Sequence, residues 1–338
     1  MIKVDNSPEK RIFVLKKYKD NPTFIELKKE IIEHIKNKEY NKLEALNTLS
    51  YSKHISIFIF YNAIQSKINA ISNNTIKNQL LQMNWFKVLV GSIEEIREII
   101  KENYYILANV KPQIKGFTQY QNIFEDLYKN QLSGKEELKR EFFNIFEDIN
   151  VCPYCNRNFI NPIYKENNIG NDNKKQSPDI EHFFPKSLYP FLALSISNLL
   201  PSCAFCNKIK SDVDTFIHNC ISPYEIQKND TKFKFEFDSI DTKTRKITLK
   251  QEGNIKNSEI LHLDSLYTEI HSNYVNDMFS KLKKYPDVNK KFLKDKFNLS
   301  EDDYKKEFCN YFKEDDFNKH PLSKMTKDLY EHIKEYGN

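Results

Sequence analysis

The sequence predicts an α+β protein, predominantly helical, with a small cysteine-held module at its centre, flanked by helical regions and a β-hairpin. Three observations carry that expectation. Apolar residues recur at three- and four-residue steps through both ends of the 338-residue chain, which is the spacing of amphipathic helices. Phe233, Phe235 and Phe237 alternate with Lys232, Lys234 and Glu236, the period of a half-buried strand. Between these regions two Cys-x-x-Cys pairs, Cys152/Cys155 and Cys203/Cys206, bracket the tract from Asp179 to Ser187.

Taken in order, the chain divides into an N-terminal helical region (1–149), a central module (150–224) and a hairpin followed by a helical C-terminus (225–338). After a short apolar start at Ile2 to Val4, helical spacing appears in Phe24, Leu27, Ile31 and Ile35. It returns in Ile93, Ile96, Ile99 and Ile100, and again in Leu138, Phe142 and Ile145, with Pro112 and Gly134 as punctuation between the last two sets. Residues 150–224 hold most of the Cys and Pro signals and little sustained helical period, as expected of loops, a hairpin and one short helix. The alternation from Phe233 continues into Arg245 to Leu249 and predicts the β-hairpin. Ile260, Leu263, Leu266, Tyr267, Ile270, Tyr274 and Met278 then predict a helix, broken near Pro286 and restarted where Ser300 and Asp303 form a capping-box pair.

Composition excludes some classes and leaves others open. A chain of this length, 39% hydrophobic and 29% charged with 25 Phe and 19 Tyr, can bury a sizeable core and is neither disordered nor a small stapled scaffold. A net charge of +5 permits a polyanionic partner without arguing strongly for one, and lysine clusters such as Lys281, Lys283 and Lys284 read as solvated helix faces. The opening MIKVDNSPEKRIF lacks the apolar core of a signal peptide, and no stretch reaches the roughly 20 apolar residues that span a bilayer. A cytoplasmic location without membrane association is the expectation. In a reducing compartment, closely spaced thiols serve more often as metal ligands or redox groups than as disulfides.

Two Cys-x-x-Cys knuckles supply four thiolates, enough to close a tetrahedral Zn²⁺ shell and leave no position open for water. Such a zinc is structural. The knuckles stand much farther apart than the roughly 15–20 residues of a simple zinc ribbon, so a functional segment is inserted between them. Within it Asp179 and Glu181 offer carboxylate oxygens suited to Mg²⁺ or Mn²⁺, and His182 offers an imidazole suited to general base work. Strand alternation puts Asp179 and Glu181 on one face and His182 on the other, so one shared site requires the chain to leave regular strand geometry near His182. After the second knuckle, Asn207 can give a neutral oxygen to the same cation. Lys210, three residues on and expected to share its helix face, can meet a phosphate as a point charge, and Lys186 is a second substrate-binding candidate. Asn198 can tie the preceding loop to the strand through its side-chain amide.

These residues, in CPYCN, DIEHFFPKS and NLLPSCAFCNKIKSD, resemble the HNH endonuclease family, with a match over roughly Cys152 to Asp212. The resemblance implies a ββα-metal HNH module with structural zinc, in which Glu181 is a metal ligand, His182 the general base, Asn198 the structural asparagine and Asn207 the second metal ligand. Asp179 is a further candidate ligand, and Lys210 and Asp212 fall on an N-x-x-K-x-D pattern. Glu181 stands where Asp is commoner, and Asn207 makes this an H-N-N variant. A looser similarity to HNH proteins of bacterial anti-phage systems of Septu and retron type implies a low-specificity defence nuclease acting on DNA, with RNA as the alternative substrate. It also implies an ATPase or other defence-system partner protein. The rival expectation is a catalytically inert zinc-containing nucleic-acid-binding or scaffolding protein.

Overall fold

The computed structural model describes residues 1–108, 116–161, 178–228, 230, 232–237, 245–284 and 287–336. The helix breaks expected at Pro112 and Pro286 lie outside them. The N-terminal region winds into α1 (Pro22–Lys36), α2 (Lys42–Leu46), α3 (Ser56–Ile68), α4 (Asn74–Gln82), α5 (Trp85–Val90), α6 (Ile93–Leu107), α7 (Phe117–Tyr128) and α8 (Glu136–Asn144). Local signals set the helix starts. At α1 the Asn21 side chain accepts the Thr23 N–H and Pro22 takes the first helical position, where its missing N–H is no loss. At α6 Ser92 and Glu95 form a capping box, and Glu95 also accepts the Tyr40 hydroxyl at 2.7 Å. Phe24, Leu27, Ile31 and Ile35 are all buried, each contributing about 1.5–3 kcal/mol.

The central segment forms a two-stranded antiparallel sheet and one short helix. β1 (Asp179–His182) pairs with β2 (Leu199–Ser202), Asp179 opposite Ser202 and His182 opposite Leu199. α9 (Ala204–Lys210) begins directly after Cys203, whose sulfur accepts the Cys206 N–H. It ends after seven residues because Ser211 adopts a left-handed φ of +47°, which an α-helix cannot continue. The ladder therefore runs through His182, and the chain departs from strand geometry only beyond it.

The C-terminal region opens with the hairpin of β3 (Phe233–Phe237) and β4 (Ile247–Gln251), in a register that sets Phe233 opposite Gln251 and Phe237 opposite Ile247. Phe233, Phe235 and Phe237 are buried while Lys234 and Glu236 are half-buried. Then follow α10 (Asn257–Ile260), α11 (Leu263–Lys284), α12 (Asp287–Phe297), α13 (Glu301–Cys309) and α14 (Ser323–Tyr336). The helix expected to run unbroken from Ile260 is interrupted by His262, which takes a left-handed φ of +50°. Ile270, expected on the buried face, is 56% exposed. The covered row of α11 steps in fours and then three through Leu263, Tyr267, His271, Val275 and Met278, which rotates Ile270 out to solvent. The capping box at Ser300 and Asp303 is present.

One hydrophobic cluster takes in residues from all three regions, among them Phe58, Phe184 and Met325. Polar ties reinforce it. Arg97 of α6 forks onto Glu225 at 2.8 and 2.7 Å and donates to the Cys220 carbonyl at 2.5 Å, a planar bidentate geometry that a lysine could not reproduce. The apolar start of the chain is stitched to the central segment, Ile2 N–H to Pro153 O and Val4 N–H to Pro223 O, both at 3.0 Å. Among the described residues no helix is long and apolar enough to cross a membrane.

Candidate functional site

Cys152, Cys155, Cys203 and Cys206 are all buried, and their sulfurs lie within 4.8 Å of one another, with Cys155 Sγ and Cys203 Sγ 4.0 Å apart. Sulfurs held about 2.3 Å from a tetrahedral zinc sit roughly 3.8 Å from each other, so the cluster could hold zinc after only small adjustments. Backbone and side-chain donors already face the sulfurs: Cys203 N–H to Cys152 Sγ at 3.4 Å, and Asn158 Nδ2 to Cys203 Sγ at 3.3 Å. Burial pushes the Cys152 thiol up. Four thiolates could not coexist here without a cation, and a closed four-sulfur shell leaves that cation no position for substrate.

The first knuckle is clamped from the far end of the chain. Asn156 adopts a left-handed φ of +50°, a conformation asparagine tolerates better than most residues. Its Nδ2 donates to the Phe317 carbonyl at 3.0 Å and the His320 carbonyl at 3.3 Å. Its Oδ1 accepts from Ser323 Oγ at 3.2 Å and Lys324 N–H at 3.1 Å. The Tyr267 hydroxyl donates to the Cys155 carbonyl. Asn156→Ala is expected to cost about 2–4 kcal/mol, through buried groups left unpaired and a strained backbone. Urea denaturation of the zinc-loaded protein measures it, and a loss under about 0.5 kcal/mol, the range of an ordinary surface substitution, would contradict it.

Beside the cluster a cleft of about 630 Å³ is lined by Asp179, Glu181, His182, Lys186, Asn207 and Tyr128, among others. Here β1, β2 and α9 bring together residues that are distant in sequence. Asn207 Nδ2 donates to Asp179 Oδ2 at 2.9 Å, which leaves the Asn207 amide oxygen free to act as an acceptor. Glu181 is 4% exposed, and burial raises its carboxyl to about 7 against the opposing pull of Lys210. The Nζ of Lys210 lies 2.7 Å from Glu181 Oε1.

His182 is buried and its Nε2 lies 3.0 Å from the Ala193 carbonyl oxygen. A carbonyl can only accept, so Nε2 carries the proton and Nδ1 keeps the lone pair. Burial lowers this imidazole to about 3, with the Ala193 carbonyl opposing and Lys186 and Lys210 reinforcing, so the ring is neutral at neutral pH. Asn198, fully buried, shapes the loop that delivers Ala193. Its Oδ1 accepts the Phe184 N–H at 2.7 Å, and its Nδ2 donates to the Phe184 carbonyl at 3.0 Å and the Leu192 carbonyl at 3.3 Å. It supports the site without lining the cleft.

Asp179, Glu181, His182, Asn207 and Lys186 thus share one cleft, while Lys210 does not line it. The expectation that Lys210 meets a phosphate does not fit this geometry, since its side chain is 2% exposed and its ammonium is paired with Glu181. The physical reason is its i+4 relation to Cys206: the turn that buries the cysteine sulfur also turns Lys210 inward, whereas Asn207 faces the cleft. Sequence reasoning missed Tyr128, whose ring meets His182 edge-on at 4.7 Å. It lies at the end of α7, and no local pattern announces a contact across that sequence distance. Lys208 and Ser211 also line the cleft.

Comparison with known proteins gives local likenesses. Over 94 residues, 28% of this chain, it is 31% identical to Septu protein PtuB of Bacillus thuringiensis, of which the match covers 31%. Over 106 residues, 30% of this chain, it is 30% identical to Protein ea31 of Escherichia phage lambda, covering 30% of that protein. The chain therefore spans less than a third of the length of either relative. No family model and no solved structure matches.

Proposed function

We propose that this chain is a metal-dependent HNH endonuclease that hydrolyses phosphodiester bonds in DNA, acting as a low-specificity effector in bacterial anti-phage defence. The observation that carries the reading is the convergence of Asp179, Glu181, His182 and Asn207 on one cleft beside the four-cysteine cluster. The donor set fits a hard divalent cation, with carboxylate oxygens from Glu181 and Asp179 and a neutral amide oxygen from Asn207. These residues would hold Mg²⁺ or Mn²⁺. When bound, the ion supplies charge stabilisation for the phosphorane oxygens and the departing 3′ oxygen.

The work of the chain's own residues follows from the site. His182 Nδ1, held as the acceptor nitrogen by the Ala193 carbonyl, takes a proton from the attacking water as the new P–O bond forms and the bond to the 3′ oxygen breaks. Tyr128 walls the ring on one side. Lys186 and Lys208 stand on the cleft as positive charges for the flanking phosphates. The defence role draws on the likeness to Septu protein PtuB, and with it comes an ATPase or other defence-system protein as partner.

The test is conversion of supercoiled plasmid to nicked and linear forms by the zinc-loaded protein. Cleavage is expected with Mg²⁺ or Mn²⁺ and not when those ions are omitted, and a long linear DNA should give a smear in place of discrete bands. A protein that binds plasmid or a partner but cuts neither DNA nor RNA at any concentration of these ions would favour the inert zinc scaffold.

A further inference from the structure

The Lys210–Glu181 pair is buried at both ends, with side-chain exposures of 2% and 5%. Glu181 Oε1 is enclosed within the protein and accepts no well-aligned hydrogen bond, so Lys210 meets it as a neighbouring charge at 2.7 Å, while Glu181 also lines the cleft. The lysine thus pairs with the enclosed oxygen of the carboxylate, so a cation in the cleft would have to be met by the other oxygen, Oε2. Lys210 is fixed in turn from both sides in sequence. Cys206, one helical turn earlier, belongs to the cysteine cluster, and Ser211, at its left-handed φ of +47°, ends the helix immediately after it. The Lys210 ammonium also lies 3.3 Å from the Ser211 carbonyl.

We propose that Lys210 is a positioning residue and not a substrate contact: by holding Oε1 of Glu181 it aims Oε2 at a divalent cation shared with Asp179 and Asn207. This rests on the cation assigned to the cleft under the proposed function. It also assigns the zinc cluster a purpose beyond stability, because Cys206 places Lys210 and through it the orientation of Glu181. The outer phosphate contacts are then left to Lys186 and Lys208, which do line the cleft.

The experiment measures Mn²⁺ affinity by titration calorimetry and DNA affinity by fluorescence anisotropy without added divalent ions, on the full zinc-loaded chain. Lys210→Met is expected to weaken Mn²⁺ binding about 10–100-fold, as loss of a partner behind a metal ligand does, with DNA affinity and zinc content unchanged. Lys210→Arg should recover most of the Mn²⁺ affinity, since it returns a cation to Oε1. Unaltered Mn²⁺ affinity with weakened DNA binding would overturn the proposal and make Lys210 a phosphate contact.

Because Lys210→Met could fail to fold, acetylation of lysines in the wild-type protein, read by mass spectrometry, provides a second measurement. Lys210 should resist modification with or without DNA, while Lys186 and Lys208 react and become protected when DNA binds. A reactive Lys210 that DNA protects overturns the positioning role. Absence of any Mn²⁺ binding by the wild type overturns the cleft cation itself, and the positioning role with it, whatever the acetylation pattern.

Discussion

His182→Ala is expected to give a folded, zinc-containing protein that binds DNA as the wild type does and cleaves it roughly 10²–10⁴-fold more slowly, the usual contribution of a general base. The geometry is specific about why. The Ala193 carbonyl fixes the proton on Nε2 and burial keeps the ring neutral, so the lone pair stands on Nδ1 before substrate arrives. Alanine removes that acceptor and leaves a gap against Tyr128. The stability cost is that of one lost buried hydrogen bond and a partly filled cavity, about 1–3 kcal/mol, which a core drawn from every region of the chain can absorb. The rate is read as plasmid nicking under single-turnover conditions, and the fold as the melting transition with and without zinc. Undiminished nicking by a properly folded His182→Ala protein would exclude His182 as the base. A melting transition lost altogether would make the ring a structural element first.

Much of this architecture could be read from residue spacing. Phe24, Leu27, Ile31 and Ile35 announce α1 because a 3.6-residue period has one physical meaning when one face is buried. Ser300/Asp303 marks a helix start because a reciprocal cap satisfies two otherwise unpaired backbone donors. The cysteine cluster was legible for a similar reason: four soft ligands in two close pairs have few other uses. What spacing could not convey was direction. Asn207 and Lys210 stand three apart on α9, yet one faces the cleft and the other turns toward the core, because Cys206 rather than the helix period fixes the rotation of so short a helix. Ile270 was misjudged likewise, since which row of a long helix is covered depends on where the β3–β4 hairpin lies. Tyr128, Arg97 and Asn156 act across long separations, through contacts that only the folded chain brings together.

Loss of one cysteine of the four-sulfur cluster is the second substitution with a large expected effect, and it separates two roles that the sequence joins. Cys203→Ser should release zinc and destabilise the protein by several kcal/mol, because metal binding in a closed four-sulfur site is itself folding free energy. Cys203 is the most connected of the four. It caps α9, and its sulfur receives N–H groups from Cys206 and Asn158, so a hydroxyl with a shorter bond and poor affinity for zinc loosens β2, α9 and the first knuckle together. The consequence for the cleft follows from connectivity. Asn207 and Lys210 ride on α9, whose first turn is fixed by the cysteine cluster, and movement of that helix by about an ångström would separate Asn207 from Asp179 and Lys210 from Glu181. On the proposed nuclease reading, cleavage should then fall with zinc content although a closed four-sulfur site has no position for substrate, and added Mg²⁺ should not restore it. Zinc stoichiometry by elemental analysis, urea midpoint and nicking rate, measured on one preparation, test this directly. A Cys203→Ser protein with a full complement of zinc and an unchanged midpoint would remove the cluster from its structural role. A zinc-free, well-folded protein that still nicks plasmid at the wild-type rate would show that the cleft is ordered by its hydrogen bonds alone.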